Sequence, residues 1–309
     1  MFAPLLPRKG RHAEKLDLTL FPCKAMTDFA DKFIAFVDVL GFKKLVEDAE
    51  NGVGMPLPEL LKLLECLGTG TERERFEEHG PFVCPRAPYI QRHLDFQVTQ
   101  TSDCVVVSAE LSPAGVVNLL AHCWTAVMGL LQRGIMCRGY VKRGRIYHTA
   151  TQVVGTGYQA TLLAEKNVTA FKREADERGT PFVEIDPAVS AYIDGQSDAC
   201  VKEMFSRFVK RDGDVVALFP FQRLSHSFVV AGLGREFAAA KERHSNQNLR
   251  ALIQNLKERV WSFVDRNNKS ATQKAAHYVA ALEEQLAVCD RTDEVINMLD
   301  SPYWRRPKP

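Results

Sequence analysis

Apolar positions along this chain switch between strand spacing and helix spacing, and the switches mark out its elements. Residues 33–39, FIAFVDV, form an almost unbroken apolar run carrying one acid, Asp38, near its end. Such a run predicts a strand buried on both faces. A turn at Leu40–Gly41 then gives way to FKKLVE, whose apolar residues recur at helical spacing and predict a helix over 41–50. The Gly/Pro break NGVGMPLP separates it from a second helix over 57–67. A strand pair is predicted over 92–99 and 103–109, with Asp103 in the polar turn just before the β-branched run Val105–Val107.

Ser112-Pro113 has the form of an N-cap followed by proline at the first helical position, and opens a helix over 113–132. The stretch IMCRGYVKRGRIYH predicts a hairpin that turns at Lys142–Gly144. A helix over 156–176 and strands over 181–185 and 214–221 follow. The polar segment 68–89 reads as an inserted loop or short helix, its TERERFEEH run a solvated helix face. From about 235 to 299 no strand is predicted. Two helices lie there, one with Leu249, Leu252, Ile253, Leu256, Val260 and Phe263 at helical spacing, the other with Ala276, Tyr278, Val279, Leu282, Leu286 and Val288. The fold class is therefore α+β: a mostly antiparallel sheet covered by helices, with a C-terminal helical extension.

Composition narrows the picture without directing it. The 309 residues are 46% hydrophobic and 25% charged, and the net charge of +2 gives no overall pull towards nucleic acid or a membrane surface. Eight cysteines are scattered without a C-x-x-C pair, which favours free thiols in a reducing cytoplasm over disulfides or a zinc site. The longest apolar stretch, 114–131, is interrupted by Asn118 and His122 and reads as a buried helix. The N-terminal MFAPLLPRKGRH lacks the apolar core and cleavage site of a signal peptide and reads as a loose arm. His122 and His148 lack zinc-type spacing and read as structural residues.

The chemistry concentrates at Asp38 and Asp103. Two carboxylates at the ends of adjacent buried strands, beside a helix N-terminus, suit a hard divalent cation that also binds phosphate oxygens. Backbone N–H groups around Leu40, Gly41 and Phe42 offer a phosphate cradle. FVDVLGF, the second acid in its β-turn, RGIMCRG, and Gly155 with Glu165 ten residues on together resemble the class III nucleotide cyclases. Residues 30 to 220 carry the likeness, which leans towards the standalone bacterial pyrimidine cyclases of the Pycsar antiphage system.

The resemblance implies a ferredoxin-like β-α-β-β-α-β core in a catalytic domain over 30–225, with an arm over 1–29 and a helical extension over 226–309. It implies a homodimer with composite active sites, and two divalent metal ions, Mn²⁺ or Mg²⁺, held by Asp38, Asp103 and the carbonyl of Val39. The ribose 3′-hydroxyl would attack the α-phosphate and expel pyrophosphate. Arg138-Gly139 resembles the family's R-G-G step, with Tyr140 in place of the second glycine. Gln159 stands where the family has a ribose-binding Asn, and Leu163 where it has a charge-stabilising Arg. Another cation must then serve, with Arg138, Lys142, Arg143, Arg145, Lys172 and Arg173 as candidates.

Thr99 and Gln152 occupy the base-reading positions and match neither the adenine pair, Lys and Asp, nor the guanine pattern. The expected substrate is a pyrimidine nucleoside triphosphate, UTP ahead of CTP, and the expected product a cyclic monophosphate read by a separate effector protein. The alternatives are a purine cyclase and a catalytically silent nucleotide-sensing or dimerisation module.

Overall fold

The computed structural model describes residues 28–68, 72–82, 93–228 and 237–301. Its organising element is β1 (Ala30–Val39), paired antiparallel along its length with two later strands. Phe33, Ala35, Val37 and Val39 face one side and Ile34 and Phe36 the other, and all six are buried. That two-sided burial explains the unbroken apolar run, because a strand in the middle of a covered sheet has no solvent face. After β1 come α1 (Phe42–Glu50), α2 (Leu57–Leu64) and α3 (Glu72–His79), the last inside the polar segment whose remaining residues lie largely outside those described. The hairpin β2 (Gln97–Thr101) and β3 (Cys104–Glu110) follows, then α4 (Pro113–Leu131) and β4 (Cys137–His148).

These elements run β-α-β-β-α-β, and their strands lie in the order β2-β3-β1-β4 with every neighbour antiparallel. This is the ferredoxin-like arrangement. The sheet continues from β4 through β6 (Val183–Ile185) and β8 (Val215–Leu218) to β7 (Val209–Asp212), while the short β5 (Val153–Val154) pairs with the end of β4. Between them lie α5 (Thr156–Glu165), α6 (Pro187–Asp194) and α7 (Ala199–Ser206).

The main core lies between one face of this sheet and α2, α4, α6 and α7. α4 is long and apolar enough to cross a membrane, yet 72% of its most apolar window is buried inside the fold. Ser112 accepts a hydrogen bond from the Gly115 N–H, so the predicted cap forms.

Three sequence expectations need correction. The predicted hairpin at Lys142–Gly144 is one continuous strand: β4 pairs with β1 from Ile146–Ala30 to Cys137–Val39, which satisfies its backbone without a turn. Gly144 serves close packing instead. A Cβ there would come within 2.7 Å of the Gly157 Cα, so these two glycines let α5 lie directly on the sheet. The helix predicted over 156–176 stops at Glu165, and the chain beyond it is gathered by Glu184, which accepts the N–H groups of Thr169 and Ala170. The strand predicted from 92 begins at Gln97.

The C-terminal region forms two long helices, α8 (Ala239–Phe263) and α9 (Lys269–Asp300). Arg250 bonds Asp290 and Asp293, and Lys257 bonds Glu283, which aligns them antiparallel. Ile253, Leu256, Val260, Tyr278 and Leu282 share a cluster with Tyr140, Phe182, Phe219 and Phe221, so the hairpin covers the sheet face opposite α4. Each such side chain contributes about 1.5–3 kcal/mol on burial.

The Lys32 ammonium is among the buried charges. Lys32 is 1% exposed and its ammonium reaches the Asp95 carboxylate at 2.8 Å and the Asp95 carbonyl at 2.7 Å. Removing the carboxylate takes a close counter-ion from a buried ammonium, whereas removing the lysine leaves an acid that still meets water. Asp95→Asn, which keeps the left-handed backbone tolerable, should therefore destabilise by about 3–5 kcal/mol, and Lys32→Met by less. Urea denaturation of both variants measures this order, and the reverse order would refute it.

Candidate active site

The strand register brings the two acids together. Asp38 lies opposite Cys104 on β3 and Arg138 on β4. One residue on, the Val39 N–H donates to the Asp103 carbonyl at 3.0 Å and ties the β2–β3 turn to the end of β1. Ser102 enters the left-handed region, φ 54°, to make that turn. The Asp38 carboxyl is pushed up from 3.8 to about 6, first by burial, then by the Asp103 carboxylate and then by Glu165; Arg138 and Lys274 pull it back. Burial, with Asp103 and Asp38 behind it, pushes the neighbouring Cys104 thiol to about 11, so it is not a thiolate at neutral pH.

Three further charged side chains close around Asp38. Arg138 forms an ion pair through its Nε with Glu165, which stands at the end of α5 and is 2% exposed. Lys274 comes from α9, half-buried. One helical turn along, the Tyr278 hydroxyl accepts the Cys137 N–H at 3.5 Å, beside the Asp38–Arg138 register. Burial, and then Arg138, pushes the Lys274 ammonium below its ordinary value, while Glu165 and Asp38 hold it up.

The phosphate cradle is smaller than the sequence predicts. The Leu40 N–H is spent on the Met136 carbonyl at 2.9 Å. The helix N-terminus starts one residue later, at Gly41 in the left-handed region, φ 79°, with no side-chain cap. The first-turn amides at Phe42 and Lys43 have no intrahelical acceptor. A cavity of about 440 Å³ opens here, lined by Leu40, Gly41, Lys44, Met136, Asp265 and Ala271.

The remaining predicted residues lie elsewhere. The Thr99 hydroxyl donates to the Thr149 carbonyl at 3.1 Å and contacts His148 Nε2 at 3.0 Å, while His148 Nδ1 meets the Ser108 hydroxyl at 2.8 Å. With the Thr99 proton committed to Thr149, Nε2 must carry the imidazole proton and Nδ1 must accept from Ser108. Burial, then Lys32, depresses His148 to about 3, so it stays neutral. Thr99 thus offers no proton to a base edge.

Gln152 and Gln159 are exposed, and Leu163 is 66% exposed. Gln152 adjoins Val153, which pairs with His148 and packs with Phe36, Val106 and Cys104 on the sheet face opposite α4. Among the candidate cations, Lys142 is bound to Asp186 and Arg143 to Asp31, and Lys172 bonds the Ala175 carbonyl. Arg145 and Arg173 are exposed. Lys274 was not among the candidates, and only its helical spacing to Tyr278 marks it in the sequence.

The donor set can be tested against a metal. Among the described residues no group of three or more His, Cys, Asp or Glu side chains is arranged to hold one. Two aspartates with a main-chain carbonyl at Val39 suit a hard cation that completes its shell with water and substrate phosphate. A cation that takes most of its shell from water and a bound ligand fits these donors better than one held by protein side chains alone.

No family model matches the sequence, and no curated protein matches it. Among solved structures, the chain is similar to the crystal structure of the guanylyl cyclase Cya2, at 11% identity and a TM-score of 0.34, over 68% of this chain and 98% of that one.

The Asp38 shift has a direct consequence. Because its folded value lies above 3.8, the native state holds more of this proton than the unfolded chain does between 3.8 and about 6. Stability contributed at this position therefore falls as pH rises through that window and is level above it. Thermal melts of wild type and Asp38→Asn, in chelator, should differ by an amount that grows in favour of the variant from pH 4 to about 6. A pH-independent difference would refute the crowding of Asp38.

Proposed function

We propose that the chain is a nucleoside triphosphate cyclase that converts a pyrimidine triphosphate, UTP before CTP, to a 3′,5′-cyclic monophosphate and pyrophosphate. The observation that carries this reading is the juxtaposition of Asp38 and Asp103 at neighbouring strand ends of a ferredoxin-like sheet, where Asp103 adds to the cost of the Asp38 charge. A pair so destabilised is stabilised by a cation. Asp38, Asp103 and the Val39 carbonyl would hold two divalent ions, Mn²⁺ or Mg²⁺, whose chemistry would be to activate the 3′-oxygen and offset charge on the departing pyrophosphate. The amides at Gly41 and Phe42 would orient phosphate oxygens. Arg138, clamped by Glu165, would present its remaining guanidinium donors towards the same site.

The resemblance implies that the metal acids and the base-reading residues of one site come from different subunits, and on that ground the working unit is a homodimer with two composite sites. The absence of both purine-reading patterns supports the pyrimidine choice, and its carrier is Gln152 alone, since the Thr99 hydroxyl is engaged internally. A diffusible cyclic nucleotide requires a separate receptor, and an antiphage role follows from the resemblance.

A second reading, a silent nucleotide-binding module, draws on exposed Leu163 at the position of the family's charge-stabilising Arg. Incubating the protein with Mn²⁺ and each of the four triphosphates, with product mass analysis, separates the readings. We expect cyclic UMP to dominate. A dominant purine product would overturn the pyrimidine reading, and no cyclic product from any of the four would favour the silent module. Asp38→Ala and Asp103→Ala should each lose more than about a hundredfold in rate, roughly 2.7 kcal/mol or more. Mixed dimers of Asp38→Ala and Gln152→Ala chains should regain activity through one intact site, and verified mixed dimers without activity would refute the composite arrangement.

A further inference from the structure

Helix α9 packs beside the end of β1 and the start of β4, with a definite face towards them. Ala271 lines the cavity beside Leu40 and Gly41, at the N-terminus of α1. Tyr278 is 1% exposed and its hydroxyl meets the Cys137 N–H. Lys274 lies between these two contacts, one turn from each, on the same face of the helix. It therefore sits over the stretch from Gly41 to Asp38 and Arg138. The helix cannot easily turn away. His277, 4% exposed, bonds Glu177 at 2.7 Å and packs edge-on against Phe182, and Ala275 and Leu282 are wholly buried.

The charges around Lys274 are unbalanced in a way that favours an anion. The charge of Arg138 is offset by Glu165, which it meets through Nε. This leaves Asp38 and Asp103, which face a metal in the proposed reaction, and Lys274, which makes no direct ion pair or hydrogen bond among the described residues. Once metal occupies the aspartates, the Lys274 ammonium has no carboxylate partner of its own. It is half-buried, so an anion would meet it with reduced competition from water.

We propose that Lys274, supplied by the C-terminal helical hairpin, is a phosphate-binding residue of the active site and provides in the same chain the positive charge missing at Leu163. The inference rests on the cyclase reading. Lys274 would bind the polyphosphate of the metal-bound substrate and stay with the pyrophosphate as negative charge gathers on it. The C-terminal helices then belong to the catalytic unit.

The test uses the full chain and a probe without a base. Binding of pyrophosphate in the presence of Mn²⁺ is measured by calorimetry for wild type, Lys274→Met, Lys274→Arg and Asp38→Asn, with melting temperatures alongside and turnover of the four triphosphates as a second readout. Lys274→Met keeps the length and apolar stem of the side chain. It should weaken pyrophosphate binding at least about tenfold at an unchanged melting temperature, and Lys274→Arg should bind within about threefold of wild type. If Lys274→Met lowers the melting temperature, Lys274→Gln replaces it under the same criteria. Wild-type affinity in the neutral variant, with binding lost in Asp38→Asn, would overturn the role of Lys274 and leave the cyclase reading standing. Pyrophosphate binding that is unaffected by both changes, with no cyclic product from wild type, would overturn the two together. A loss in Lys274→Met that Lys274→Arg fails to restore would mark a packing role and overturn the proposal.

Discussion

The hydrogen bond from the Val39 N–H to the Asp103 carbonyl is the constraint on which the site depends, because it joins two like charges that would otherwise move apart. It holds because β1 cannot slide. The strand is bonded along both edges, and a one-residue slip would turn Asp38 into the apolar α4 face and force Phe33, Ala35 and Val37 into the space shaped for Ile34 and Phe36. The energetics favour this outcome comfortably. Crowding one partly exposed carboxylate costs on the order of 1–2 kcal/mol after solvent screening. Phe33, Ile34 and Val37, each wholly buried, contribute about 1.5–3 kcal/mol apiece. The apolar strand thus sustains an electrostatic strain that a bound cation would relieve.

What could be read from the sequence follows the range of the interactions involved. β1, the turn at Gly41, α4 with its Ser112 cap and the C-terminal helix pair are all encoded by neighbours within a few residues, and local pattern reveals them. β4 is not legible as one strand because Lys142 and Arg143 beside Gly144 look like a polar turn. Their charges are met by Asp186 and Asp31, which the sequence places far away. The end of α5 is hidden for a similar reason: the chain past Glu165 is held by Glu184, a long-range acceptor without a local signature. The short elements α6, α7 and β7 are too brief for periodicity to declare them.

The site divides along the same line. Asp38 and Asp103 stand in legible strand-end contexts, and their contact is a matter of register between neighbouring strands. Thr99 looked available because its partners, Thr149 and His148, lie about fifty residues on. Lys274 has no local signature: more than 230 residues separate it from Asp38, and nothing near it in sequence speaks of phosphate.

This asymmetry has a structural cause. Helix α9 is positioned by its apolar face, through Ala275, Tyr278 and Leu282, and by the His277–Glu177 pair. None of these contacts involves an acid of the site. The helix would therefore dock whether or not residue 274 carried a charge, so packing and chemistry are separable there in a way they are not at Asp38. At Asp38 the strand that places the carboxylate is also the centre of the fold. At Lys274 the fold supplies only a location, and the charge is an addition to it. A neutral side chain of similar length should leave that docking intact, so a change in ligand affinity at this position can be assigned to charge.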